Sequence, residues 1–296
     1  MADYGKAKKA SKRLDKKISK SEQQLLKRSK RISKDIYPLY RQYAARLQKD
    51  SDGNILNNAA NISIVNGSRS VIYGYFERKG YQLLYSLFND TFKAINDENV
   101  KYFSYIIDKP TAESVSNRVE TQMNAIVGTS DLSGDGLLPQ LLNPNEISRQ
   151  IQSTMMKAVN SNFTSAKMNK ELKNGIEGDQ DRFGFVESYY YQNGYDSFSE
   201  YERGSKEGYS KILELNYALY QGGEIKGTRS FCESRTGKVF NRETIESWQN
   251  LEWQGKKKGH NIIIDAGGYN CRHYYDWVTF ALARRLDPDI EKSKYD

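Results

Sequence analysis

Cys232, His260, Cys271 and His273 are the only cysteines and histidines in the chain of 296 residues, and all four stand after residue 230. Two thiolates and two imidazoles are a donor set that a tetrahedral zinc ion accepts, and a small module gains stability from such a staple. The intervals are 27 residues, then ten, then one, which is no standard finger or ribbon spacing. The same residues admit two other readings: Cys232 and Cys271 as a disulfide or close thiol pair, or all four as ordinary packed side chains. A nucleophilic reading pairs Cys232 or Cys271 with His260 or His273, and Asp265 or Asp276 would orient the imidazole. No oxyanion hole or nucleophile elbow accompanies it, so the expectation is a protein that is not an enzyme.

Short elements must position these residues. QGGEIKG (221–227) marks a boundary, and beyond it turns alternate with β-type runs at Lys238–Phe240 and Ile262–Ile264. Gly267 and Gly268 suit positive φ at a turn. Trp248, Trp253 and Trp277 supply the aromatic bulk expected of a small core. Arg229, Arg235 and Arg272, with Lys256, Lys257 and Lys258, form either a second phosphate-binding face or a set of local ion pairs with Glu233 and Asp276.

The rest of the chain reads as helical. Residues 55–107 carry a dense apolar set at spacings of three and four, including Ile72, Phe76, Leu84, Phe88 and Ile95, with Gly74 and Gly80 as points of breakage or close packing. A loop is expected at 128–145, where DLSGDG lacks the acid spacing of a calcium site. Asn143, Pro144 and Glu146 predict a helix start, with one helix over 144–172 that KNGIEGDQ ends. Two more helices are predicted at 181–194 and 197–221, the second carrying Tyr201, Tyr209, Ile212, Leu213 and Leu215. The fold class is therefore mainly α, with a small α+β module at the C-terminus. The segments are a basic arm (1–50), helical regions (55–127 and 146–225) around the loop, and the module (226–296).

Charge is concentrated at the N-terminus. Residues 1–49 hold 16 Lys and Arg against four acids, a balance of +12, which leaves −4 for the remainder of a chain whose total is +8. Leu14, Ile18, Leu25, Ile32 and Ile36 fall on one stripe of an amphipathic helix. Pro38 predicts a break near Ile36 and Tyr37, after which Leu39, Tyr43 and Leu47 continue an apolar face. Lys8, Lys9, Lys12, Arg13, Lys16, Lys17, Lys20, Lys27, Arg28, Lys30, Arg31 and Lys34 are candidates for binding DNA or another polyanion, and an acidic protein surface is the alternative partner. Aromatic residues are not interleaved among these cations, which argues against stacking on single strands. No apolar run reaches the roughly 20 residues of a membrane span, and MADYGKAKKASKRLDKK has no secretory apolar core, so an intracellular product independent of membranes is expected.

Cys232, followed after four residues by Gly237-Lys238-Val239-Phe240, then a glycine turn and Asn270-Cys271-Arg272-His273, resembles the C-terminal module of phage Mu F-like head morphogenesis proteins, the minor head (minor capsid) proteins. The resemblance covers about 228–280. Many members carry a second cysteine early in the first half-motif and a histidine three residues before the second cysteine. Arg229 and Gly268 stand at those places here, so His260 and His273 would have to complete a zinc site. The resemblance implies a structural head protein near the portal, in the virion after assembly in the host cytoplasm, acting in morphogenesis, genome packaging or DNA ejection. Its implied partners are portal or capsid proteins, to which the +12 balance of the arm adds double-stranded DNA as an expected partner; self-association is a further expectation. The reading from a different class is a nucleic-acid-binding or toxin-associated enzyme with a Cys/His site.

Overall fold

A computed structural model describes residues 3–128, 130–223 and 225–296. The expected loop at 128–145 and boundary at 221–227 therefore each contain one residue, Thr129 and Glu224, outside the described set, as do the first two residues of the arm. In chain order the helices are α1 (Tyr4–Ala44), α2 (Ala59–Gly67), α3 (Arg69–Tyr75), a π-helical turn (Phe76–Gly80), α4 (Tyr81–Ile106), α5 (Lys109–Val127), α6 (Leu137–Leu142), α7 (Asn145–Asn160), α8 (Ser165–Glu177), α9 (Phe185–Asn193) and α10 (Ser197–Ile212). There follow β1 (Tyr217–Gln221), α11 (Ser230–Glu233), β2 (Val239–Asn241), α12 (Arg242–Ser247), a 3-10 turn (Trp248–Asn250), α13 (Ile262–Asp265), β3 (Tyr274–Val278) and α14 (Phe280–Leu286). The chain is mainly helical with one small antiparallel sheet at its C-terminal end, as its patterning predicts.

Two compact units form, each from separated stretches of chain. The first combines residues 1–21, 89–127 and 196–296; the second combines 22–88 and 128–195. α1 contributes to both units: its buried residues Ala7, Ala10, Leu14 and Ile18 belong to the first, and Leu25, Ile32, Ile36, Tyr40 and Ala44 to the second.

Pro38 does not break α1. The proline and Lys34, whose carbonyl loses its intrahelical donor, both lie on the exposed face, where water can take the freed acceptor. With the helical phase preserved, the buried stripe continues through Tyr40, Ala44 and then Leu47, not through Leu39 and Tyr43, which are half-buried.

In the second unit, the helix expected over 144–172 is two helices. Asn162 takes a positive φ of 48°, and the Thr164 hydroxyl accepts from the Lys167 amide to start α8. Both helices present regular apolar faces, Ile147, Ile151 and Met155 on α7 and Met168, Leu172 and Ile176 on α8. The expected loop holds the six-residue α6, whose Leu141 and Leu142 carbonyls accept from Tyr189 and Tyr190. At Gly80 a Cβ would sit 2.8–3.1 Å from the Tyr75 and Phe76 rings, which is the close packing that this glycine signals.

The first unit is built around α10 and the sheet. α5 lays Ala112, Val115, Val119 and Met123 on one face, and Gly208 and Gly204 of α10 allow close approach to Val119 and Met123. Phe92 stacks on Tyr201 at 3.9 Å and Phe103 on Tyr209 at 4.5 Å between ring centroids. The sheet order is β2-β1-β3, with Leu219 opposite Val239 on one side and Asp276 on the other. The helix predicted over 197–221 ends at Ile212, because Glu214 turns the chain with φ of 52° and its last residues form the central strand. Ile262–Ile264 is helical and not extended: Asn261 Oδ1 accepts from the amides of Ile263 and Ile264, and Asp265 reaches back to the Asn261 amide.

Glu98 of α4 clamps the first half of α1. Its buried carboxylate accepts from Lys17 at 3.1 Å and Arg13 at 3.2 Å, and from Lys101 at 3.0 Å. Burial by itself would raise this carboxyl, but the Lys101 and Lys17 ammonium groups hold it below its ordinary value. The folded state therefore holds the anion more tightly than the unfolded chain does. That contribution is complete above the unfolded carboxyl value and fades as pH falls through the lower folded one. Urea unfolding of Glu98→Gln is expected to show lower stability than wild type at pH 7, with the gap closing below about pH 4. A gap that does not change with pH would remove the ionic part of this clamp.

Candidate functional site

Three of the four cysteine and histidine side chains meet in the first unit. Cys232 sits on α11, whose first turn follows an extended Arg229, and the Thr236 hydroxyl donates to the Cys232 carbonyl at 2.8 Å. The chain then returns to the sheet: the Gly237 amide donates to Tyr220 and the Tyr220 amide to Lys238. Cys271 closes a tight turn by donating its amide to the Gly268 carbonyl, and His273 leads into β3.

The Cys232 and Cys271 sulfurs are 3.9 Å apart and both thiols are free, so the pair is a close thiol pair and not a disulfide. Cys271 Sγ lies 3.7 Å from His273 Nδ1, and the donor atoms of the three residues all fall within 4.8 Å of one another. Cys271 Sγ also accepts from the backbone amides of Gly267 at 3.1 Å and His273 at 3.5 Å. The hydrogen bond from the Cys232 thiol, reinforced by His273 and Arg203, holds the Cys271 thiol well below its ordinary range against the opposing effect of burial. Giving that hydrogen bond, and burial after it, pushes the Cys232 thiol up. The two thiols are thus driven in opposite directions by their mutual contact, Cys271 down and Cys232 up.

Two neighbours fix this arrangement. Tyr220 stacks on the His273 ring at 5.2 Å with planes 6° apart, and its hydroxyl lies 3.4 Å from Cys232 Sγ. Arg203 of α10 donates to the carbonyls of Ile264, Cys271 and His273, tying the turn to the helix. Gly267 is required by proximity and not by positive φ: a Cβ there would lie 2.4 Å from Cys232 Sγ and 2.9 Å from Cys271 Sγ. Positive φ falls on Ala266, Gly268 and Asn270 instead.

His260 is not part of the cluster. It packs edge-on to Trp253 at 5.0 Å with Nδ1 3.8 Å from Asp265, and burial lowers its basicity, so the four-ligand set of Cys232, His260, Cys271 and His273 does not assemble. A tetrahedral zinc ion with bonds of about 2.3 Å to sulfur and about 2.0 Å to nitrogen sets its ligand atoms roughly 3.5–3.8 Å apart. The separations of 3.9 and 3.7 Å lie close to two of those edges, and the donor atoms of all three residues fall within 4.8 Å, so Cys232, Cys271 and His273 could hold an ion. As a nucleophile the cluster is poorly placed. Cys232, Cys271 and His273 are 1%, 3% and 3% exposed, beside a cavity of about 40 Å³ that also touches Thr228, Arg229 and Asn270. Asp276 orients no imidazole; it accepts from Lys206 at 2.9 Å and Ser11 at 2.7 Å.

The remaining candidates divide. Trp277 and Trp248 are core residues, whereas Trp253 is half-buried and stacks on Phe231 at 4.0 Å. Three members of the second basic set are taken up locally: Arg235 lies over Phe231 and Trp248, Lys256 donates to the Gln249 and Leu251 carbonyls, and Lys257 is ringed by Asp196, Glu200 and Asp265. On α1, Lys8, Lys9, Lys12, Lys16, Lys20, Lys27, Lys30, Arg31 and Lys34 are exposed. Arg13 and Lys17 serve the Glu98 clamp, and half-buried Arg28 donates to the Leu83 carbonyl and Ser86. Sequence patterning missed Arg203, Lys206 and Tyr220. The one signal for Arg203 and Lys206 is a helix whose polar residues recur every three or four positions beside Gly204 and Gly208.

No family model, no curated protein and no solved structure matches the chain. Among the described residues, no helix is long and apolar enough to cross a membrane.

Gly267→Ala is expected to destabilise the protein by about 1–3 kcal/mol, the usual cost of forcing an extra methyl into a packed site. In a thiol titration, wild type should give two fast-reacting groups in denaturant and almost none when native, and the variant should react faster when native. Fewer than two thiols in unfolded, unreduced wild type would contradict the free pair.

Proposed function

We propose that the chain is a structural minor head protein of a bacteriophage, acting in head morphogenesis, genome packaging or DNA ejection near the portal, and not an enzyme. The observation that carries this reading is the joint folding of the two half-motifs. The first half-motif runs into β2 and the second into β3, the two strands that flank β1, and their cysteines are 3.9 Å apart. They thus behave as parts of one module, as the resemblance to Mu F-like proteins implies. The deep burial of both thiols, beside a cavity of only about 40 Å³, supports a structural over a catalytic role. Under this reading the partners are portal or capsid proteins and double-stranded DNA, with self-association a further contact. The protein would reside in the virion after assembly in the host cytoplasm.

Zinc held by Cys232, Cys271 and His273 belongs to the same proposal as a staple of the module, supplying cross-links and no chemistry of a reaction. Purified protein should then carry about one zinc per chain, and cobalt replacement should give sulfur-to-metal charge-transfer bands that Cys271→Ser abolishes. Protein that contains no stoichiometric metal, and whose unfolding a chelator does not shift, would remove zinc and leave the head assignment standing.

Quantitative mass spectrometry of purified particles tests the assignment itself. A few copies per particle would place the protein at the portal vertex and hundreds would make it a lattice component. Its absence from particles and from their assembly intermediates would sink the head reading.

A further inference from the structure

Cations on α1 are sorted by face. Taking 100° per residue, the side directly opposite the buried stripe carries Lys9, Lys12, Lys16 and Lys20 in the first half of the helix. Lys27, Lys30, Arg31 and Lys34 carry it on in the second half. All eight are exposed, and among the described residues none forms an ion pair with a carboxylate. The helix's own acids stand elsewhere: Asp15 and Glu22 are turned toward the buried side, and Asp35 is occupied by Lys79 and Tyr75. Two carboxylates add negative charge near the second half of the face: Asp35 toward Arg31, and Glu187 toward Lys30 and Lys34.

A merely solvated helix face ordinarily alternates the signs of its charges at i,i+4. Here Lys12 and Lys16, Lys16 and Lys20, Lys27 and Arg31, and Lys30 and Lys34 are all like-charge pairs at that spacing, which weakens a helix. The face therefore suits something outside the chain that is negative along its length.

We infer that this outward face of α1 is a phosphate-binding ridge for duplex nucleic acid, binding without sequence selection. The inference deepens the head-protein reading, in which DNA is one partner, by assigning the surface and the mode of contact. Three observations favour a duplex. Protein interfaces deplete lysine and rely on apolar, aromatic or arginine anchors, yet seven of the eight cations are lysine and the residues between them include Ser19, Gln23 and Gln24. Recognition of single strands relies on stacking aromatics, and the ridge carries none. Lysine ammonium groups act as point charges toward phosphate and carry no bidentate base readout, so affinity would come from counterion release.

Fluorescence anisotropy with the full chain and two unrelated 30-base-pair duplexes, over a range of salt concentrations, tests this. The two sequences should bind within about twofold of each other, with a steep loss of affinity as salt rises. Changing Lys9, Lys12, Lys16 and Lys20 to Gln, or Lys27, Lys30, Arg31 and Lys34 to Gln, should each reduce the log–log salt slope by about 2–4 and lower affinity at least tenfold at moderate salt. Circular dichroism checks that the helix persists. A control that changes exposed Lys167, Lys170 and Lys173 of α8 to Gln should leave the slope nearly unchanged. Unaltered duplex binding by both ridge variants, an equal loss in the control, or tight binding to polyglutamate but not to duplex would each overturn the ridge. These outcomes are independent of particle composition, so the head assignment and the ridge can fail separately.

Discussion

β1 has to find hydrogen-bond partners on both edges, and the candidate site follows from how it does so. The strand is buried from Tyr217 to Tyr220, where unpaired amides and carbonyls would be costly. β2 satisfies one edge and β3 the other, and each is reached through a turn that carries chemistry: Cys232 before β2, Cys271 and His273 before β3. Pairing Tyr220 with Tyr275 sets the register that stacks Tyr220 on His273 and brings the two sulfurs together. A slip of one residue in either ladder would send these side chains to the opposite face. The thiol pair is therefore a product of strand register more than of any local motif.

α10 then has an unusual task, since it packs against this sheet while carrying Glu202, Arg203, Lys206 and Glu207 in largely buried positions. Each is committed to a partner. Lys206 bridges Glu202 at 2.6 Å and Asp276 at 2.9 Å, Glu207 accepts from Arg242 at 2.8 Å, and Arg203 is spent on three carbonyls. Burial raises the Glu202 carboxyl even with Lys206 beside it, so this network gives less net stability than its short contacts suggest. What it gives is a fixed geometry. Ser11, Asp276 and Lys206 join α1, β3 and α10 at one point, and an apolar substitute would pack there without specifying which groups must meet.

The helical regions were legible because their apolar residues recur at three and four, a signal that survives on α7 and α8 even though the join at Asn162 was not foreseen. The sheet was less legible. Tyr217–Gln221 is a short apolar run that periodicity cannot separate from the end of a helix, and only the pairing of its edges decides. Ile262–Ile264 has β-type residues, but a single side chain, Asn261, satisfies two amides and tips the segment into a turn of helix. Proximity in sequence identified Cys271 and His273 as site residues and Cys232 as their companion. It could not exclude His260, whose place beside Trp253 depends on the path of the whole 251–261 segment. Arg203, Lys206 and Tyr220 looked like ordinary surface or core residues, since their roles rest on backbone carbonyls and rings contributed from far along the chain.

The order of α1 without a partner can be judged from magnitudes. Its outer face contains like-charge pairs that each cost roughly 0.2–0.5 kcal/mol, so four of them cost about 1–2 kcal/mol. Its inner face buries Leu14, Ile18, Leu25, Ile32 and Ile36 almost completely, each contributing about 1.5–3 kcal/mol relative to exposure. The inner face outweighs the outer several-fold, before the Glu98 clamp is counted. Basic segments that fold only on meeting a polyanion must first lose chain entropy, which weakens binding. Here packing has already met that cost, so the cations are held in place by the protein's own core and their spacing is set before any partner arrives.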